Sequence, residues 1–148
     1  MGNLQMLLRQ HIGAPCKPVV AVGDKVAKGT LIAEPAGLGA NIFASVYGTV
    51  TEITEEAIII EPDAEQKEEF VKIPEGSKLD MVKAAGIVGM GGAGFPTHVK
   101  LTSKNPEAID YVIANGSECE PYITCDDRLM QDENRSIVEG LRLVLQLF

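Results

Sequence analysis

Between residues 18 and 62 the chain is apolar in short bursts, each closed by Gly, Pro or Asp: PVVAV (18–22), GDKVAKG (23–29), TLIAEP (30–35), NIFASV (41–46), YGTVTEI (47–53) and AIIIEP (57–62). Runs this short, rich in Val, Ile and Thr, predict strands, and six of them within about 45 residues predict a small barrel or sandwich. The Gly23–Asp24 pair and Gly29 predict tight turns around Val26, and Gly48 opens another. Residues 65–78 (EQKEEFVKIPEGSK) are polar, charged and broken by Pro74 and Gly76, the composition of a linker.

Beyond the linker the period changes. Residues 79–85 (LDMVKAA) predict a short helix that leans on its neighbour through Leu79, Val82 and the Ala pair. Residues 86–101 read GIVGMGGAGFPTHVKL, a glycine-rich loop running into a helix at 95–101, with Pro96 suited to the first turn. KNPE (104–107) predicts a turn, and YVIA (111–114) predicts a buried parallel strand stopped by Asn115–Gly116. A second dense stretch, NGSECEPYITCDDRLM (115–130), leads into a polar turn at 131–133. Residues 134–148 then predict an amphipathic helix carrying Ile137, Val138, Leu141, Val144, Leu145 and Phe148 on one side. Loop, helix, strand, loop, helix is an α/β order. The last helix has neither glycine cap nor turn residue after it, so its partners are expected beyond Phe148, in a longer protein. The expected fold is an α+β two-module chain. A small all-β barrel or sandwich module spans 11–64, a linker 65–78, and the start of an α/β domain 79–148.

Composition narrows the function. With 45% hydrophobic and 23% charged residues the 148-residue chain is globular. A net charge of −8 argues against a nucleic-acid binder, which needs a basic face. No run approaches the ~20 apolar residues of a membrane span. The N-terminus lacks the basic and apolar regions of a signal peptide, and Met6 stands where a myristoylation signal carries Ser or Thr. A cytoplasmic protein is expected. Cys16, Cys119 and Cys125 are odd in number and without a CxxC pair, so they are expected to be free thiols, neither disulfides nor ligands of a metal or cluster.

Two stretches could carry binding chemistry, and they are expected to be halves of one site. Gly89, Gly91 and Gly94 satisfy G-x-G-x-x-G, and Gly92 adds to them. Such glycine density lets a backbone lie against a ligand with its N–H groups directed at anionic oxygen, and Lys100 adds a cation nearby. The dinucleotide fingerprint also requires a preceding strand and an acidic residue closing the next one. Here a helix precedes, and Asn115 closes, so the fit to that fingerprint is poor. Phosphate or flavin binding stands beside a plainer reading, a glycine-rich turn that permits close packing. Asn115, Ser117, Glu118 and Glu120 follow the predicted strand, at the edge where open α/β sheets bind ligands. Asn suits the edge of a flavin or pyrimidine ring, and the two carboxylates suit ribose or ribityl hydroxyls; a solvated acidic loop is the alternative. His98 has the chemistry of an acid or base, but a lone histidine near a helix start is more often structural or exposed; His11, beside Gly13 and Pro15, reads as a loop residue hydrogen-bonded to backbone. No catalytic residue is singled out.

These phrases resemble known families. VGDKVAKGTLIAE followed by IFASVYGTVTEI resembles the biotinyl/lipoyl-like barrel-sandwich hybrid, whose carrier versions present a modifiable lysine at a hairpin tip. Here that tip, PAGLGAN (35–41), has no lysine, which disfavours a swinging-arm carrier. The glycine stretch and NGSECEPYITCDDRLM, together with HIGAPCKPVVAVGDKV (11–26), resemble the RnfC family of ferredoxin:NAD oxidoreductase subunits across nearly the whole chain. More distantly they are similar to the flavin-bearing 51 kDa subunit of respiratory complex I. The resemblance implies a Rossmann-like domain binding FMN and NADH, and electron exchange with iron–sulfur clusters. It places Gly89, Gly91, Gly92, Gly94 and Lys100 on the flavin-phosphate side, and Asn115 and Ser117 against the isoalloxazine. Glu118 and Glu120 become flavin or nicotinamide contacts. Met90 and Ser117 depart from the complex I pattern, which has arginine and aspartate there. The family's 4Fe–4S segments are expected downstream of Phe148. The implied partners are other Rnf subunits, with peripheral association at the inner face of the membrane. The hairpin GLGANIFASVYG is closer to a soluble relative, the proline-reductase-associated PrdC, which implies a cytosolic reductase instead. A non-catalytic docking module with a degenerate glycine loop is the alternative function.

Overall fold

The computed structural model describes residues 2–90 and 92–148 and divides into two compact units, Met1–Lys100 and Leu101–Phe148. The described residues of the first unit form seven short strands: β1 (Leu4–Leu7), β2 (Lys17–Pro18), β3 (Lys25–Val26), β4 (Leu31–Glu34), β5 (Ile42–Phe43), β6 (Gly48–Ile53) and β7 (Ala57–Pro62). They form two antiparallel sheets, one ordered β1-β7-β6-β3 and the other β2-β4-β5. This is a sandwich of two small sheets without a closed barrel. Between them Val26, Ile32, Ile42, Val50, Ile58 and Ile60 are buried, with Leu8, Cys16, Ala33 and Ala44 filling the gaps. Ile32, Val50, Ile58 and Ile60 are all on the phrases that predicted strands, and each faces inward.

Turn chemistry shapes the strands. The Asp24 carboxylate accepts from the Ala21 amide (2.8 Å) while the Asp24 amide donates to the Ala21 carbonyl (3.1 Å). That turn cuts the predicted 18–22 strand short, so only its first residue lies in β2 and Val22 is exposed. Thr54 closes the β6–β7 hairpin, its hydroxyl accepting from the Ala57 amide at 3.0 Å. The residues read as a linker are tied to the sandwich: Gln66 exchanges two hydrogen bonds with the Tyr47 backbone, and the Val71 amide donates to the Lys28 carbonyl (2.8 Å).

Helix α1 (Lys78–Ala84) starts at Ser77, whose hydroxyl accepts from the Asp80 amide. It ends at Gly86, with φ of 65°, in a paired closure: the Gly86 amide reaches the Lys83 carbonyl (3.0 Å) and the Ile87 amide the Val82 carbonyl (3.5 Å). The first glycine of the rich stretch is therefore a helix stop. Helix α2 (Thr97–Leu101) follows buried Pro96, whose carbonyl accepts the first helical bonds from Val99 and Lys100.

The second unit contains α3 (Cys125–Asp132) and α4 (Asn134–Leu145), which pack on one another, and a single 3-10 turn at Pro106–Ala108. The last helix starts where the pattern put it but ends at Leu145, and of its expected apolar side Ile137, Leu141 and Val144 are half-buried while Val138, Leu145 and Phe148 are exposed; Cys125–Asp132 is a full helix instead of a lead into a turn. Residues 111–114 are not a strand. Tyr111 and Ile113 are 85% and 84% exposed, and no strand is found among the described residues of this unit. A parallel strand exists only when neighbours take up its N–H and C=O groups, and residues 101–148 supply none. No described residue of this unit is buried. No described helix is long and apolar enough to cross a membrane.

Candidate functional site

The glycine stretch is a closed loop. Val88 and Pro96 form an antiparallel bridge, the Gly89 amide donates to the Phe95 carbonyl (2.9 Å), and the Thr97 amide to the Ile87 carbonyl (2.9 Å). Gly92 and Gly94 both take positive φ, 62° and 61°, a conformation that costs an L-residue about 1–2 kcal/mol. Met90 at the tip is fully exposed. Gly91 lies outside the described residues. The Gly89 amide is taken up in closing the turn, so that glycine shapes the loop.

The loop rests on the β module. A side chain at Gly94 would meet the Gln10 carbonyl and the His11 Cα, each at 3.2 Å. Between residues Gln10–Ile12 and the loop lies a shallow cavity of about 350 Å³. Lys100 is exposed at the end of α2 and does not line it. His98, on the same helix, lines a second cavity of about 330 Å³ with Asp80 and Lys83 of α1 and the hairpin tip. Burial, and then the Lys83 ammonium, hold its pKa below the ordinary imidazole range.

In the second unit Asn115 makes an Asx turn, its Oδ1 accepting from the Ser117 amide (2.9 Å). The Glu118 carboxylate accepts from the Asp126 amide at 2.9 Å and from the Cys125 thiol at 3.5 Å. It thereby caps the first turn of α3, where Thr124 makes no side-chain cap. Partial desolvation foremost, and next the Glu118 carboxylate, push the Cys125 thiol above its usual pKa. Glu120 and Cys119 are exposed. Tyr122, fully exposed, sits at φ 65°, a strained position for a residue with a Cβ. Glu118, Cys125 and Asp126 converge closely enough to surround an ion, but they are equally a capped helix start, and their hydrogen bonds account for the convergence.

Pattern reading missed two things here. Gln10–Ile12 beside the glycine loop could not be found from spacing, since some 80 residues separate them in the chain. The capping role of Glu118 left no trace, since Thr124 stands at the N-cap as a residue type that ordinarily caps a helix itself.

The sequence has counterparts among known proteins. Residues 2–73 match the family described as the RnfC barrel sandwich hybrid domain, and residues 82–148 that described as the Nuo51 FMN-binding domain. The chain thus joins a barrel-sandwich module to an FMN-binding domain. Over 160 aligned positions it is 42% identical to the C subunit of the proton-translocating ferredoxin:NAD(+) oxidoreductase complex of Clostridium ljungdahlii, covering 95% of this chain and 35% of that protein. It is 40% identical to the C subunit of the Na(+)-translocating complex of Acetobacterium woodii, over 92% of this chain and 35% of the relative. The C subunit of the ion-translocating oxidoreductase complex of Rhodobacter capsulatus is also 40% identical, with 95% of this chain and 31% of the relative covered. The chain belongs to the RnfC family, and it spans about a third of the length of the curated relatives it matches.

Proposed function

We propose that this chain is the flavin-proximal part of an RnfC-type electron-transfer subunit. The observation that carries the reading is the match of residues 82–148 to an FMN-binding domain, combined with a glycine stretch folded as an exposed, tightly closed loop. The loop fits a phosphate-bearing ligand: Gly92 and Gly94 take positive φ, and a Cβ at Gly92 would occupy open space in front of the backbone. In this reading Gly89, Gly91, Gly92 and Gly94 form the phosphate side with Lys100 as the cation. Gly89 acts by closing the turn. Asn115 and Ser117 address the isoalloxazine. Glu118 and Glu120 address ribityl or nicotinamide hydroxyls; Glu118, already bonded to α3, retains lone pairs for a further donor.

Bound FMN supplies hydride acceptance from NADH and stepwise release of single electrons. The chain's residues would hold the phosphate and orient the ring. In this reading 4Fe–4S clusters outside these residues would take up the electrons, and other Rnf subunits would be the partners. That assembly keeps the protein in the cytoplasm at the inner face of the membrane. The named relatives are subunits of ion-translocating complexes, so a proline-reductase partner draws no support from them.

An absorbance and fluorescence titration with FMN tests this, on the 148-residue chain and on the full-length protein. Binding is expected in the full-length protein, weakened by Lys100→Ala. A full-length protein that binds no FMN would return the chain to a docking role.

A further inference from the structure

The lysine-free hairpin tip at residues 35–41 is not an idle remnant of a carrier fold. It is gripped from two sides. On one side stands His11, a buried polar residue at 8% exposure. Its Nδ1 meets the Ile12 carbonyl at 2.9 Å, and its Nε2 lies 3.1 Å from the Ala40 amide. With a ring proton on Nδ1 and none on Nε2, the ring donates to Ile12 and accepts from Ala40, whose carbonyl also lies 3.0 Å from Nε2. The Cys16 thiol completes the cluster, donating to the Ala40 carbonyl at 3.3 Å. Gly39 of the tip has no room for a Cβ, which would fall against the His11 Cε1 and within 2.8 Å of the Pro35 Cβ. On the other side the Asn41 side chain donates through Nδ2 to the Ala84 carbonyl at the end of α1 (3.5 Å), and Gly86 abuts the Asn41 carbonyl and the Phe43 ring.

Both grips lead to the glycine loop. Gly86 is where the stretch begins, and Gly94, near its end, lies against the backbone of Gln10 and His11. We propose that the hairpin tip is a fixed strut for the glycine loop, and that His11 is the positioning residue that transmits its placement. A tip that elsewhere would swing a cofactor here holds a binding loop still. Preorganisation of this kind lowers the ordering cost that a ligand meets on binding. The consequence for FMN rests on the proposed function; the placement of the loop does not.

Two measurements on the full-length protein separate them. The first is amide hydrogen exchange. His11→Leu is expected to speed exchange at the Gly89 and Thr97 amides, which close the loop, by about tenfold, a modest loss of local stability. Exchange at the Ile58 and Ile60 amides of the core should stay slow, and His11→Gln, which keeps an acceptor for Ala40, should restore most of the protection. Gly39→Ala displaces the same ring from the far side without touching the loop, and should reproduce the effect if His11→Leu impairs folding. Unchanged exchange at Gly89 and Thr97 in both variants overturns the strut. The second measurement is FMN affinity, expected to fall about tenfold in the same variants and to recover with His11→Gln. Faster exchange with unchanged affinity overturns the part of the inference that concerns the cofactor. Absence of FMN binding by the wild-type protein removes that part together with the proposed function, while the exchange result still decides the strut.

Discussion

Replacing Gly86 by alanine tests whether the glycine stretch is rich for packing or for binding. The position carries two separate costs. At φ of 65° an L-residue is destabilised by about 1–2 kcal/mol. Its Cβ would also press on the Asn41 carbonyl and lie 2.9 Å from the Phe43 ring. The first neighbour is backbone and cannot swing away, so overpacking adds about 1–3 kcal/mol. The sum is roughly 2–5 kcal/mol, which for a unit of about 100 residues lowers the melting temperature by roughly 10–30 °C. Gly92→Ala separates the contributions. Its φ is 62°, but nothing lies within 4 Å of the added Cβ. It should carry the conformational cost alone, a fall of roughly 5–10 °C. Gly37→Ala, with open space and no positive φ, should leave the transition in place or raise it slightly. Thermal unfolding followed by circular dichroism ranks the three. Equal losses for Gly86→Ala and Gly92→Ala would mean that the close approach to Asn41 is absent, and the packing argument would fail.

Other residues give independent tests. Glu118→Ala removes the cap of α3 and should cost about 1 kcal/mol of local stability, read as lost helicity in the far-ultraviolet circular dichroism; helicity equal to the wild type would argue against the cap. The same change should speed alkylation of Cys125 relative to Cys119, because the carboxylate that helps hold that thiol protonated is gone. A thiol titration of the native chain should find Cys119 and Cys125 fast and Cys16 slow, since burial both shields Cys16 and raises its pKa; three equally fast thiols would contradict the buried core. The depressed pKa of His98 means that the unfolded state binds the proton first. Its contribution to stability is therefore complete above the ordinary imidazole range and is lost as pH falls through it. Stability measured by urea from about pH 7.5 down to about pH 5.5 should decline less in His98→Gln, and less in Lys83→Met, than in the wild type.

Local chemistry wrote much of the chain plainly. The inward isoleucines and valines, the Asp24 turn, the stop at Gly86 and the half-covered face of α4 each depend on neighbours within a few residues, where period and turn propensity act. The glycine loop and the NGSECEP loop carry the family in their order of residues. What depended on distant neighbours was hidden. Leu4–Leu7 alternates inward and outward, yet becomes β1 only because β7, some 50 residues on, offers an unpaired edge. Tyr111–Ala114 has the composition of a buried strand, yet strands need partners to share their backbone hydrogen bonds, and here it has none. His11 appeared as a loop histidine bonded to backbone, which it is; that the backbone belongs to the hairpin tip at Ala40, and that Gly94 leans on the same segment, follows from tertiary folding alone. Periodicity reports which face a residue turns inward. Only the folded chain decides what waits on the other side of that face.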